Sequence, residues 1–331
     1  MLRRAVICCL LLLACTPLVR PGQDAGTGGG TGGGGSGGGA GGGSGGPWVE
    51  VPIAITGAQG DVQRLAARPG EVWAMVGHGA MVRATTGRFE LLWDATPPNL
   101  LDFALTPAGQ VAVLTDGALL ACTSACEAFA SYADFALPAH PLAVCSGGEA
   151  LEFLVGLGDG GTTLFAFDGA GWNRTDDVPV KDARQCAVDT AGRIYVGGRG
   201  AVGIDADGGA SLVMPATGAL SRPPESELWT LVAAESVGFA ASAQGAGARG
   251  DAWSALPALS GSAAALAVRS PTQAFVFGTS SAARFDGTAW RPDVAPATLT
   301  TITAAAYGPD GALYVGGSDA TGAPRVFRRA P

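Results

Sequence analysis

Seven short apolar runs recur in this 331-residue chain, each closing on a glycine, serine or threonine: 72–77, 111–115, 153–156, 194–197, 239–242, 275–278 and 313–316. Measured between their final residues, the intervals are 38, 41, 41, 45, 36 and 38. A period near 40 sustained over seven copies constrains the fold more than any other feature of the chain. Each copy is one supersecondary unit that buries its apolar face against its neighbours rather than within itself.

Within a copy the order of signals is constant. A small-residue segment such as Leu65-Ala66-Ala67 or Leu266-Ala267-Val268 comes first. Next is a turn, as at Pro69-Gly70 and Pro309-Asp310-Gly311, where proline fixes φ and glycine supplies a positive one. The apolar run follows, then a third segment often closed by Asp-Gly, as at Asp168-Gly169, Asp207-Gly208 and Asp286-Gly287, which favours a tight hairpin. A fourth segment carries Trp93, Trp172, Trp253 or Trp290. Four short antiparallel strands in about 40 residues make one blade of a β-propeller. The expected fold class is therefore all-β, a single seven-bladed propeller of four-stranded blades. Six or eight blades, or sandwich domains of coincidental spacing, are the alternatives.

The two ends of the repeat region complement each other. The last copy stops at Pro331 with no tryptophan, whereas Pro47-Trp48-Val49-Glu50-Val51-Pro52 reads as a fourth segment without the three that should precede it. The N-terminal strand is therefore expected to complete the seventh blade beside Arg325-Val326-Phe327 and so close the ring, removing open sheet edges. The tryptophans, one per blade in a fixed slot, are expected to pack between blades rather than stack on sugars. Tyr195-Val196-Gly197-Gly198 and Tyr314-Val315-Gly316-Gly317, each followed by later Trp and Leu/Val-Pro signals, resemble kelch-type and related bacterial propeller repeats.

Residues 1–46 are of another kind. Arg3 and Arg4 precede an apolar run, Ala5 to Ala14, about half the ~20 residues that span a bilayer. The run ends in Leu12-Leu13-Ala14-Cys15, which resembles the lipobox of bacterial lipoproteins. That resemblance implies a signal peptide over 1–14, cleavage, and lipidation of Cys15, whose acyl chains would hold the protein to a membrane. Thr16, rather than aspartate, implies the outer membrane or cell surface. From Gly22 to Gly46, 17 of 25 residues are glycine, so residues 15–46 are expected to be a lipidated cysteine and a flexible linker with a reach of roughly 30 Å. Residues 47–331 form the propeller domain.

Charge and chemistry narrow the function. The net charge is −8, becoming −10 without Arg3 and Arg4, and Lys181 is the only lysine, which excludes a nucleic-acid footprint and a polybasic membrane patch. His78 and His140 are the only histidines and have no partner at a recognisable spacing, so no catalytic triad, metal site or cofactor is expected. Asp205-Ala206-Asp207-Gly208 reads as a turn rather than a calcium loop. In an oxidising compartment Cys122 and Cys126 are expected to bridge across a hairpin. Cys145 and Cys186 are 41 residues apart, at equivalent places on innermost strands; whether they come within bridging distance is left open.

The resulting expectation is a monomeric, membrane-anchored binding or scaffold module of the cell envelope. Its ligand, a protein, peptide or glycan, sits on one propeller face. The alternative is an exported hydrolase or lyase using carboxylates at the channel mouth, with Asp102, Asp182 and Glu235 as nominal candidates.

Overall fold

The computed structural model describes residues 46–55, 60–77, 79–85, 87–94, 100–106, 109–116, 118–122, 130–131, 141–147, 150–156, 162–167, 172–178, 181–189, 193–204, 210–212, 231–234, 238–241, 245–248, 254–261 and 263–331. Every regular element among them is a strand.

Two short strands open the domain, β1 (Val49–Val51) and β2 (Ile53–Ala54). Then come β3 (Val62–Arg68), β4 (Glu71–Val76), β5 (Ala80–Ala84) and β6 (Phe89–Asp94). A second group holds β7 (Leu100–Leu105), β8 (Val111–Thr115), β9 (Leu119–Cys122) and β10 (Ala130–Ser131). A third holds β11 (Pro141–Gly147), β12 (Ala150–Gly156), β13 (Thr162–Phe167) and β14 (Trp172–Val178). The fourth has only β15 (Lys181–Val188), β16 (Ile194–Ile204) and β17 (Ala210–Leu212). The fifth comprises β18 (Leu231–Ala234), β19 (Gly238–Ala241), β20 (Gly245–Ala248) and β21 (Ser254–Ala255). The sixth comprises β22 (Ala265–Ser270), β23 (Gln273–Phe277), β24 (Ala282–Phe285) and β25 (Trp290–Asp293). The chain finishes with β26 (Thr301–Tyr307), β27 (Leu313–Ser318) and β28 (Pro324–Arg329).

Each group is one antiparallel meander, giving seven sheets among the described residues. The uniform four strands expected from the repeat do not hold in two of them. In the fourth sheet the 11-residue β16 pairs through 194–199 with β15 and through 202–204 with β17, leaving three strands. Gly200-Ala201 joins the two paired stretches with no break in the strand. The first sheet has five, because β2 adds in parallel along β6. The last sheet has the order β1-β28-β27-β26, with Val49, Glu50 and Val51 opposite Arg328, Phe327 and Val326.

The first strand of each sheet lies beside that of the next: β3 by β7, β7 by β11, and so on to β22 by β26, with β26 beside β3. A bulge near the start of β3, β7, β11 and β26 inserts Gln63, Leu101, Leu142 and Thr303 and turns local groups sideways toward the neighbouring sheet. Thr303 Oγ1 donates to the Val62 carbonyl at 2.6 Å, and the Asp102 carboxylate accepts from the Val144 amide at 3.1 Å.

Cores form between sheets rather than within them. Val51, Phe89 and Val326 pack with Val62, Leu65 and Val72 at the seam of the last and first sheets. Sheets approach closely enough there to require Gly316, where a Cβ would meet Val62 at 2.6 Å; at Gly317 a Cβ would collide with the Thr301 carbonyl on β26, the paired strand of its own sheet. Trp290 occupies the first position of β25, is buried, and donates through Nε1 to the Ala246 carbonyl of the preceding sheet at 3.3 Å. Trp48 does the same one sheet on. Its Nε1 donates to the Val294 carbonyl at 2.8 Å, its ring meets Phe277 edge-on at 6.4 Å, and Arg329 stands over it at 4.6 Å.

Trp290 thus marks an inter-sheet slot at the first position of the fourth strand, and Trp48 directly precedes β1. In the third sheet this strand position is Trp172, opposite Phe167 in register. In the first sheet it holds the fully buried Phe89, not Trp93, which lies four residues further along β6 opposite Met81. Trp253 lies outside the described residues.

Candidate functional site

Two of the turns from first to second strands border one cleft. Arg68 ends β3 and is followed by Pro69-Gly70, where Gly70 takes φ +83°; Pro309-Asp310-Gly311 links β26 to β27, with φ +76° at Gly311. There the ends of β22, β26 and β3 frame an open polar cleft of about 390 Å³, lined by Arg68, Pro69, Arg269, Tyr307, Pro309 and Gly311.

Arg68 is held rigidly. Its Nη2 donates to Glu71 Oε2 at 3.1 Å, and the same oxygen accepts from Trp73 Nε1 at 2.6 Å. The Arg68 guanidinium also lies 5.7 Å from the ring of the fully buried Trp73. Its Nη1 is buried and has no hydrogen-bond partner. A buried donor left in that state costs about 1–3 kcal/mol.

Arg269 is the opposite case. It is exposed, has no carboxylate partner among the described residues, and lies flat against Gly311. A Cβ at position 311 would come within 2.7 Å of Cζ, Nη1 and Nη2, so glycine is required there by the guanidinium as well as by the turn.

Across Pro309 lies a second cleft, of about 400 Å³, whose walls include Val51, Val72, Ala84 and Tyr314. At its rim Arg328 donates to Asp310 at 2.7 Å. Burial pushes the Asp310 carboxyl up, but the Arg328 hydrogen bond, the Ala312 amide and the Arg328 charge together hold it below its ordinary range.

The carboxylates singled out from the sequence do not meet in this site. Asp102 is buried on β7 at the bulge, not open at a channel mouth as the hydrolase alternative required. Its Oδ1 accepts from the Phe103 amide at 2.9 Å, its Oδ2 from Val144, and Arg64 Nε stands 3.4 Å away. Burial raises its carboxyl above the ordinary value despite the Arg64 charge and the two amides. Asp182 is on the backbone of β15, and Glu235 lies outside the described residues.

Cys145 and Cys186 form a disulfide joining β11 to β15, with Cα atoms 5.6 Å apart. Cys122 is disulfide-bonded; its expected partner Cys126 lies outside the described residues, as do Cys15, His78, His140 and Asp205-Ala206-Asp207-Gly208. Among the described residues no three of His, Cys, Asp and Glu converge to hold a metal ion.

Arg68, Arg269 and Tyr307 were not singled out from the sequence. Aligning the copies on their first turn finds them, because all three lie at or next to the end of a first strand, the two arginines one and two residues before a proline. Nothing in the repeat alone tells which of these strand ends come to line one cleft.

No protein-family profile and no curated protein matches this chain. Solved structures of similar fold exist. Streptogramin B lyase superposes with a TM-score of 0.68 at 11% identity, over 86% of this chain and 97% of that one. YCF48 from Cyanidioschyzon merolae gives 0.60 at 12% identity, over 86% and 98%. YCF48 bound to D1 peptide gives 0.61 at 12% identity, over 86% and 97%. These neighbours are β-propeller proteins, and at such identities the likeness shows the fold alone: this chain is a β-propeller.

Proposed function

We propose that this protein is a membrane-anchored lipoprotein of the cell envelope. Its seven-bladed propeller, closed by β1, acts as a binding module for a protein, peptide or glycan ligand. Residues 1–14 are the signal peptide, Cys15 the lipidated N-terminus, 16–46 the linker and 47–331 the propeller. Anchoring rests on the Leu12-Leu13-Ala14-Cys15 resemblance. Seven blades and ring closure are supported by seven sheets among the described residues, by β1 alongside β28, and by β26 alongside β3.

The observation that carries the binding reading is the cleft at the first-strand ends. Its lining joins Arg68, paired with Glu71, to the exposed Arg269, which has no carboxylate partner among the described residues. A peptide complex of the similarly folded YCF48 is consistent with a ligand of this kind. The similarly folded streptogramin B lyase is consistent in the same way with the hydrolase or lyase alternative, but Asp102, the one of its candidate carboxylates whose side chain is described, is committed to backbone amides.

Two measurements test the proposal. Cys15→Ala should move the protein from the membrane fraction to the soluble one; unchanged fractionation refutes the anchor. Cross-linking in the native envelope should recover a partner with wild type that is lost with Arg68→Ala/Arg269→Ala, and equal recovery with the folded double variant refutes the site.

A further inference from the structure

We infer that residues 47–54 are a strap through which the membrane tether pulls on three consecutive sheets at once, so that no single edge strand bears the load. The inference rests on the anchored reading above, which supplies the pull.

The proposed linker meets the domain at Gly46, and the short stretch that follows reaches three sheets. Trp48 reaches the sixth sheet, where its ring meets Phe277 edge-on and Nε1 donates to the Val294 carbonyl just beyond β25. Val49–Val51 pairs with β28 of the seventh. The Pro52 carbonyl then accepts from the Phe89 amide at 2.7 Å, and Ile53–Ala54 runs parallel to β6 of the first.

The side chains divide in the same way. Trp48 packs into the core between the sixth and seventh sheets, with Phe275, Phe277 and Val315. Val51, Ile53 and Ile55 pack into the core between the seventh and first, with Val62, Val72 and Phe89. Strands of three and two residues have little hold by themselves. Their hold comes from being spread, because a pull on Gly46 must empty two cores and break pairing in two sheets. Trp48 is the first of these groups that the load meets, and it is clamped. Arg329 of β28 stands over its ring at 4.6 Å and donates to Asp293 of the sixth sheet at 2.9 Å.

The test stretches single molecules of the full chain in optical tweezers. Peptide coupling tags are inserted at Gly30 in the linker and in the exposed turn at Asp116, in the second sheet, outside the three that hold the strap. Wild type should extend in one event, with strap and domain giving way together. Release of residues 47–60 ahead of the rest, a separate step of about 50 Å at lower force, overturns the inference. Trp48→Ala should introduce that early step, and a variant trace identical to wild type overturns the inference as well. If Trp48→Ala does not fold, the wild-type trace decides.

Lipid plays no part in this measurement, so the two readings fail separately. A strap that holds while Cys15→Ala stays in the membrane fraction removes the tether as the source of the pull. A strap that slips while Cys15→Ala leaves the membrane removes the strap alone.

Discussion

Arg325 donates to Glu50 at 2.8 Å across 275 residues of chain, and through Nε the same guanidinium donates to Asp319 at 2.8 Å. It therefore ties β1 to β28 and to the turn that precedes β28. The pair is exposed, however, and ion pairs of this kind contribute little to stability. The apolar groups beside it, Val51 at the seam and Trp48 against Phe277, account for most of what β1 contributes.

Deleting residues 47–52 should accordingly cost more than about 3 kcal/mol, since it removes Trp48 and a buried valine together. It should also expose β28 as a sheet edge and promote self-association. Arg325→Ala should cost under about 1 kcal/mol. Thermal unfolding and sedimentation of the three proteins check both; an unaltered melting temperature for the deletion would count against the proposed ring closure.

Trp290→Ala should destabilise by about 3–5 kcal/mol, the range for emptying a buried tryptophan site. Trp290→Phe should recover much of this, because Phe89 fills the matching slot of the first sheet with no indole N–H. Denaturant titration distinguishes the two substitutions.

Removing the disulfide with Cys145→Ala/Cys186→Ala should cost about 4 kcal/mol, the chain-entropy value for the 41-residue separation it spans. Comparison of melting temperatures with and without reductant, for wild type and the double variant, measures the effect; no difference would show that packing of β11 on β15 suffices.

Asp102 sets a pH dependence. Its folded-state carboxyl is raised by burial, so below the unfolded value of about 3.9 both states are protonated and no penalty arises. As pH climbs from there through the folded value, the unfolded chain releases its proton first and stability falls. Asp102→Asn should abolish that decline. A stability–pH profile that keeps its slope in the variant would assign the effect elsewhere.

Asp286 and Asp319 act with the opposite sign. Hydrogen bonding, chiefly from Arg291 at Asp286 and from Thr321 and then Arg325 at Asp319, holds both carboxyls well below their ordinary range. Their contribution is present above about pH 4 and is lost as pH falls through the folded-state values. Asp286→Asn/Asp319→Asn should flatten the acid side of the profile while leaving the neutral side parallel to wild type.

The fold was legible because each strand carries its own turn chemistry and the copies repeat it. Trp48 could be matched to the last copy by subtraction, and β1 lies beside β28. The tryptophan slot was legible only in part, since counting from the preceding glycine points to Trp93 while the strand register places Phe89 there. Spacing measured along a sequence does not register the length of the turn between. The three-stranded form of the fourth sheet was not legible either, because β16 runs on from Ile194 to Ile204 where the other copies turn between a second and a third strand. Least readable was the cleft. Arg68 and Arg269 are 201 positions apart, and their common setting follows only from β26 lying between β22 and β3.

The pairing of β1 with β28 also bears on how the protein is made. Val49–Val51 leaves the ribosome ahead of every other strand described, yet its partner is the last to emerge. Until β28 is made, β1 lacks the strand it pairs with, and contacts of such sequence separation form slowly. A truncated product therefore carries its defect at the N-terminus from the outset, where quality-control proteases can find it, and only translation through Arg328 removes the signal.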